Sequence, residues 1–176
     1  MSEQNKLSRF EQAVLPHFDA AYNLARWLTR NDTDAEDVVQ EAYLRAYKFF
    51  AGFHGGDSRT WLLTIVRNTC YTWLRQNRTQ ELGIAFDEEI HSIVSEDASP
   101  ETILVKSASR QLLKQALEEL PVEFRETMIL RELEGLSYKE IAGITDVPVG
   151  TVMSRLSRAR KRLQICLINH TEGGSN

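Results

Sequence analysis

The sequence predicts an all-α protein of two small helical domains joined by a flexible acidic linker. Three observations carry that expectation. Apolar residues recur at helical spacing along almost all of the 176 residues, and most Gly and Pro fall between the periodic runs rather than within them. One stretch, QELGIAFDEEIHSIVSEDASPE, has little period and carries seven acids with no Lys or Arg before it ends on Ser-Pro. The chain therefore divides into domains at 1–78 and 101–168, a linker at 79–100, and a tail at 169–176 expected to be disordered. Helical patterns run over 7–30, 34–49, 58–76, 101–119, 122–134, 137–144 and 149–166.

Composition narrows the function. With 42% hydrophobic and 26% charged residues, the chain has material for one ordinary core or two small ones. No apolar run reaches the roughly 18 residues of a membrane span, and MSEQNKLSRF lacks the apolar centre of a secretory signal, so a soluble cytoplasmic protein is expected. Cys70 and Cys166 stand alone, without the spacing of a zinc site or a disulfide framework, and are expected to be reduced thiols. His17, His54, His91 and His170 are scattered, and neither GxxxxGK[ST] nor HExxH is present. No enzyme, metal or cofactor is expected.

In the helix over 34–49, Val38, Val39, Ala42, Tyr43, Ala46 and Phe49 form a broad apolar face suited to a core. Asp37, Gln40, Glu41, Leu44 and Lys48 lie opposite. Burying Leu44 in its own domain would drag the neighbouring carboxylates out of water, which no single leucine offsets. An apolar residue ringed by charge suits a partner-binding surface; a scattered exposed leucine is the plain alternative.

The helix over 58–76 divides differently. Leu62, Ile65, Val66, Thr69 and Trp73 share one side, while Thr64, Arg67, Asn68, Tyr71 and Arg75 gather on the other. Arginines, an amide and an aromatic ring together suit phosphates and an unstacked base, though an ordinary polar face would look alike. Ahead of it, FFAGFHGGDS combines aromatics with three glycines, giving a backbone able to bend around a ligand. Trp61, at the start of the helix, belongs in the core.

The last helix answers a puzzle of charge. GTVMSRLSRARKRL holds five basic residues and no acid, in a chain of net charge −4. Val149, Val152, Leu156, Ala159 and Leu163 advance by three and four to make one apolar stripe. Ser154, Arg158 and Lys161 fall opposite, with Ser157, Arg155 and Arg162 at the margins. Upstream, Ser137 with Glu140 three residues on forms a capping box for a short helix, and Pro148 stands near the first turn of the basic one. Two helices joined by a tight turn, the second bearing hydroxyls and arginines, make a helix-turn-helix whose second helix fits the major groove. A solvated basic helix end is the alternative, but it explains neither the capped helix nor the division of faces.

LEELPVEFRETMILRELEGLSYKEIAGITDVPVGTVMSRLSRARKRL resembles region four of the extracytoplasmic-function sigma factors of bacterial RNA polymerase. DAEDVVQEAYLRAYKFF followed by GDSRTWLLTIVRNTCYTWLRQNR resembles their region two. The resemblance implies contact with core RNA polymerase through Asp37, Gln40, Glu41 and Leu44. It implies minus-ten DNA binding by Ala51, Gly52, Phe53, Arg67, Asn68, Tyr71 and Arg75, with the loop and Asn68 capturing a flipped base. It implies minus-35 promoter DNA recognition by Thr151, Ser154, Arg155, Ser157, Arg158 and Lys161. It further implies an anti-sigma factor as regulator and a role in stress response. Met153 stands where many family members have Arg, and Ser157 where many have a bulky aromatic, so no promoter sequence is carried over. A stand-alone helix-turn-helix regulator with a sensing N-terminal domain is the competing function, and binding to core polymerase separates the two.

Overall fold

The computed structural model describes residues 2–77 and 101–173. α1 (Glu3–Val14) starts where the Ser2 hydroxyl accepts the Asn5 amide, and a 3-10 turn (Leu15–His17) separates it from α2 (Phe18–Thr29). The apolar period predicts one helix over 7–30. The break comes at Pro16, which has no N–H to give a helical bond and whose ring crowds the preceding turn.

α2 closes on Arg30 in the left-handed conformation, φ 61°, and the Asn31 side chain opens α3 (Asp32–Phe49) by accepting the Asp34 amide at 3.0 Å. A 3-10 turn (Phe50–Gly52) and a loop lead to α4 (Ser58–Gln76), whose bounds match the predicted ones. Gly55 and Gly56 hold φ of 88° and 94°, backbone that a residue with a Cβ avoids. The Asp57 carboxylate then caps α4, accepting the Arg59 amide at 3.0 Å.

The C-terminal half comprises α5 (Glu101–Glu119), α6 (Val122–Met128) with a π-helical turn (Ile129–Leu133), α7 (Tyr138–Thr145) and α8 (Val149–Gly173). α8 continues through Gly173, into the segment expected to be a disordered tail. The expected linker, 79–100, lies outside the described residues, as do 174–176.

Leu24, Leu28, Val38, Ala42, Leu62, Leu63 and Val66 are buried among α1–α4, and Leu130, Leu136, Ile141, Ile144, Val152, Leu156 and Ala159 among α6–α8. Each fully buried leucine or isoleucine contributes on the order of 1.5–3 kcal/mol. The two sets are not separate cores. α2 packs on α6, α4 packs on α7, and the buried side chains form one continuous cluster.

Two core assignments are corrected. Phe49 is 58% exposed, and Phe50 takes its place in the core at 7%. The 3-10 turn that begins there advances each residue by about 120° instead of about 100°, bringing Phe50 inward against Phe10 at 5.5 Å between ring centroids. Val149 is also exposed: it opens α8, and no earlier helical turn covers it.

Candidate nucleic-acid and partner interfaces

On α3, Asp37, Gln40, Glu41 and Leu44 are all exposed, Leu44 at 68%. Arg45 donates to the Glu41 carboxylate at 2.9 Å in an i,i+4 pair open to water, which contributes only a few tenths of a kcal/mol. The face is therefore apolar at one point, acidic on the N-terminal side of it, and exposed.

The second surface is built by aromatics. Phe53 lies 4.9 Å from the Trp61 ring, and Phe50 lies 6.1 Å from Phe53 and 6.2 Å from Trp61. These contacts hold the loop against α4 and leave Ala51 and Gly52 exposed at its rim. Along α4, the Thr64 and Thr72 hydroxyls donate to carbonyls one turn back, at Thr60 and Asn68, so they are spent on their own helix. Asn68 and Arg75 are exposed.

Arg67 and Tyr71 are not. Arg67 Nε donates to Glu126 Oε2 at 2.9 Å and Nη2 to Oε1 at 3.2 Å, a two-pronged pair between α4 and α6. The Arg67 side chain is 15% exposed and that of Glu126 is fully buried. The guanidinium also lies 3.7 Å over the Tyr71 ring, whose hydroxyl is buried as well. Burial raises the Glu126 pKa above the usual carboxylate range, against the bonds and charge of Arg67. Burial, then the negative charge of Glu126, likewise raises Tyr71. Cys70, buried beside them, is pushed up to about 12 by the same two causes in that order. Burial also raises Cys166, with Glu119 adding to it. Both cysteines are free, and neither environment favours a thiolate.

The third surface is the helix-turn-helix. Ser137 and Glu140 form the expected capping box on α7, and Asp146 makes the turn in the left-handed conformation, φ 57°. On α8, Val152, Leu156, Ala159 and Leu163 are buried, while Ser154, Ser157, Arg158 and Lys161 are exposed and Thr151 and Arg155 half-buried. Ser154 donates to the Thr151 carbonyl at 3.0 Å. The arginines of this helix divide by what they touch. Arg160 pairs with Glu132 at 2.9 Å and Arg162 lies 5.3 Å from the Phe124 ring, both on their own domain. Arg158 and Lys161 have no ion-pair partner among the described residues.

Periodicity alone misses the residues that join the halves. Besides Glu126, these are Glu134, whose carboxylate lies 3.3 Å from the Arg59 guanidinium, and buried Arg125, which donates to the carbonyls of Leu120 at 2.8 Å and Leu28 at 3.3 Å. Glu126 carried a legible signal. Val122, Ile129 and Leu130 stand four before, three after and four after it, so its carboxylate sits on an apolar helical face that needs a cation.

Two family models match the chain in turn. The family model described as Sigma-70 region 2 matches residues 14–80, and that described as Sigma-70, region 4 matches residues 110–163. The chain is 34% identical over 169 residues to the ECF RNA polymerase sigma factor SigE of Mycolicibacterium smegmatis, covering 96% of this chain and 65% of that protein. It is 39% identical over 137 residues to the ECF RNA polymerase sigma-E factor of Escherichia coli, covering 74% of this chain and 72% of that one. Among solved structures, the sigma factor RpoE in complex with the anti-sigma factor NepR from Bartonella quintana superposes with a TM-score of 0.68 at 31% identity, over 90% of this chain and 96% of that one. CnrH in complex with the cytosolic domain of CnrY gives 0.66 at 25% identity, over 93% and 90%.

Proposed function

The chain belongs to the extracytoplasmic-function sigma factors of RNA polymerase, and on that premise we propose that it binds core polymerase, brings it to particular promoters and assists strand opening, without performing chemistry itself. The exposed face of α3 supports the first step. Asp37, Gln40 and Glu41 surround Leu44, which is 68% exposed, a setting in which a partner's apolar contact and basic rim would both be matched.

Duplex recognition falls to α8. Arg158 can bond two acceptors of a guanine edge, Ser154 and Ser157 can donate or accept, and Lys161, Thr151 and Arg155 are suited to phosphates and neighbouring bases. Strand opening falls to the loop at Ala51, Gly52 and Phe53 with Asn68, helped by Arg67, Tyr71 and Arg75. Extracting a base costs a few kcal/mol of stacking and pairing, which a fitted pocket offsets. The protein acts in the cytoplasm, where polymerase and promoter are found. An anti-sigma factor restrains it, as NepR is found with RpoE of Bartonella quintana and CnrY with CnrH.

The single observation that carries this reading is the coexistence in one chain of a helix-turn-helix whose second helix exposes Arg158 and Lys161 without an ion-pair partner among the described residues, and a separate helix-and-loop site holding Asn68 at the surface. Reconstituted transcription with core polymerase on a genomic fragment library tests it. The protein should start transcripts at a small set of sites. Silence at every fragment, with protection of duplex DNA in the absence of polymerase, would mark a stand-alone regulator instead.

A further inference from the structure

We propose that Val149 and Met153 form a thymine-reading edge on α8: their exposed side chains meet the 5-methyl groups that thymines of the minus-35 element present in the major groove. The proposal rests on the function given above and names the base that this part of the helix selects.

Both residues are apolar and open to water, Val149 at 40% and Met153 at 53%. Four residues apart, they lie one turn above the other on one side of the helix, and Ser157 continues their row. The adjacent row holds Gly150, Ser154 and Arg158, all exposed. The N-terminal turns of a recognition helix are the ones that meet base edges in the major groove. Those turns are fixed here, because the Thr151 and Val152 amides donate to the Pro148 carbonyl at 3.0 and 3.2 Å and Val152 is buried in the core.

The surroundings suit a base pair. Arg160, seven residues beyond Met153 and so on its side of the helix, is held by Glu132 at 2.9 Å, which leaves the row without an unpaired cation. Gly150 has nothing within 4 Å of where a Cβ would stand and no positive φ, so neither crowding nor strain within the protein requires a glycine there. Its effect is to let a base edge come close beside Val149 and Met153. Ser154 donates its proton to the Thr151 carbonyl at 3.0 Å, which leaves its oxygen as an acceptor. An A·T pair can answer both rows, the adenine amino group donating to the Ser154 oxygen and the thymine methyl packing on Met153. Cytosine offers an amino group too but has no methyl, so the apolar row is what separates the two pairs. Arg158 and Lys161, without an ion-pair partner among the described residues, put positive charge beside this edge and favour DNA over another protein as its occupant.

The test uses polymerase reconstituted with the full chain and the strongest promoter recovered from the genomic library. Each thymine of its minus-35 element is replaced in turn by deoxyuridine, which keeps every hydrogen bond and loses only the methyl, and promoter affinity is measured by competition. At thymines facing this edge the replacement should weaken binding about fourfold, the value of one buried methyl-sized group. That penalty should vanish in Met153→Gln, or in Val149→Ala for the thymine beside Val149, and survive in Met153→Leu and in Arg158→Ala. Cytosine in place of such a thymine should cost affinity that 5-methylcytosine partly restores.

The deoxyuridine comparison on the unsubstituted protein needs no variant, so it stands whether or not a substitution disturbs α8. If transcripts start but deoxyuridine is tolerated at every position, or the penalty is undiminished in both Met153→Gln and Val149→Ala, or the minus-35 element contains no thymine, only the thymine edge is rejected. Tolerance of deoxyuridine together with slower association of Met153→Gln with core polymerase would make the edge a protein contact and reject it likewise. If no transcripts start at any fragment, the function itself is rejected, and the thymine edge with it.

Discussion

Ser137 and Glu140 bond each other across the first turn of α7, the Glu140 amide donating to the Ser137 hydroxyl at 3.1 Å and the Ser137 amide to the Glu140 carboxylate at 2.9 Å. Two amides that helix geometry leaves without partners are thereby satisfied. Ser137→Ala should cost about 1 kcal/mol of stability, measured as a lower urea midpoint. Because α7 carries Ile141 and Ile144 beneath α8, duplex promoter binding should weaken with it. An unchanged midpoint would show that packing alone holds α7 in place.

Leu44→Asp places a fourth polar side chain among Asp37, Gln40 and Glu41 at a site already 68% open to water. Thermal stability should stay within about 0.5 kcal/mol of the parent, as for other surface changes, while core polymerase affinity falls at least about tenfold. Surface plasmon resonance with core enzyme decides it, and undiminished affinity would remove α3 from the polymerase interface.

Arg158 and Arg160 lie two residues apart on α8 but differ in their contacts: Arg160 pairs with Glu132, and Arg158 has no ion-pair partner among the described residues. Arg158→Ala should lose about 1–3 kcal/mol of promoter affinity, unevenly across minus-35 variants, because a base contact is sequence-dependent. Arg160→Ala should lose less, and evenly. Uniform loss from Arg158→Ala would make it a phosphate contact.

Alkaline pH should destabilise the protein. The Cys70 thiol is raised from 9.0 to about 12 by burial and then by Glu126, and the Tyr43 hydroxyl from 10.0 to about 12 by burial. The unfolded chain therefore releases these protons first. Their contribution is intact below the unfolded pKa of 9.0 and is lost as pH rises toward about 12. Urea midpoints should fall across that window, and Cys70→Ala should flatten the lower part of the fall. A flat profile from 9.0 upward would contradict the burial of both groups.

Much of the fold was readable because its signals are local. α4 runs over Ser58–Gln76 as its period predicts, since an amphipathic repeat and the cap at Asp57 act within a few residues of one another. The capping box on α7 and the buried stripe Val152, Leu156, Ala159 and Leu163 were legible for the same reason. The helix over 7–30 misled because apolar spacing continues through Pro16, while the proline acts on the backbone and not on that spacing. Phe49 and Phe50 changed places because a 3-10 turn alters the angle between neighbours, which a fixed period of 3.6 ignores.

The candidate surfaces divide on the same principle. Leu44, Asn68 and Arg158 are exposed where the pattern puts them, because each depends on which side of its own helix it occupies. For Arg67 and Tyr71 the pattern shows a polar face but not what will lie against it.

The amino-acid order by itself determined the span of α4, the capping box on α7 and the buried stripe Val152, Leu156, Ala159 and Leu163 of α8, since all of these follow from neighbours within a turn or two. Tertiary structure alone decided that Glu126 meets Arg67. A carboxylate and a guanidinium 59 residues apart find each other only when two helices pack face to face, and the removal of both charges from water depends on that packing, not on either local sequence.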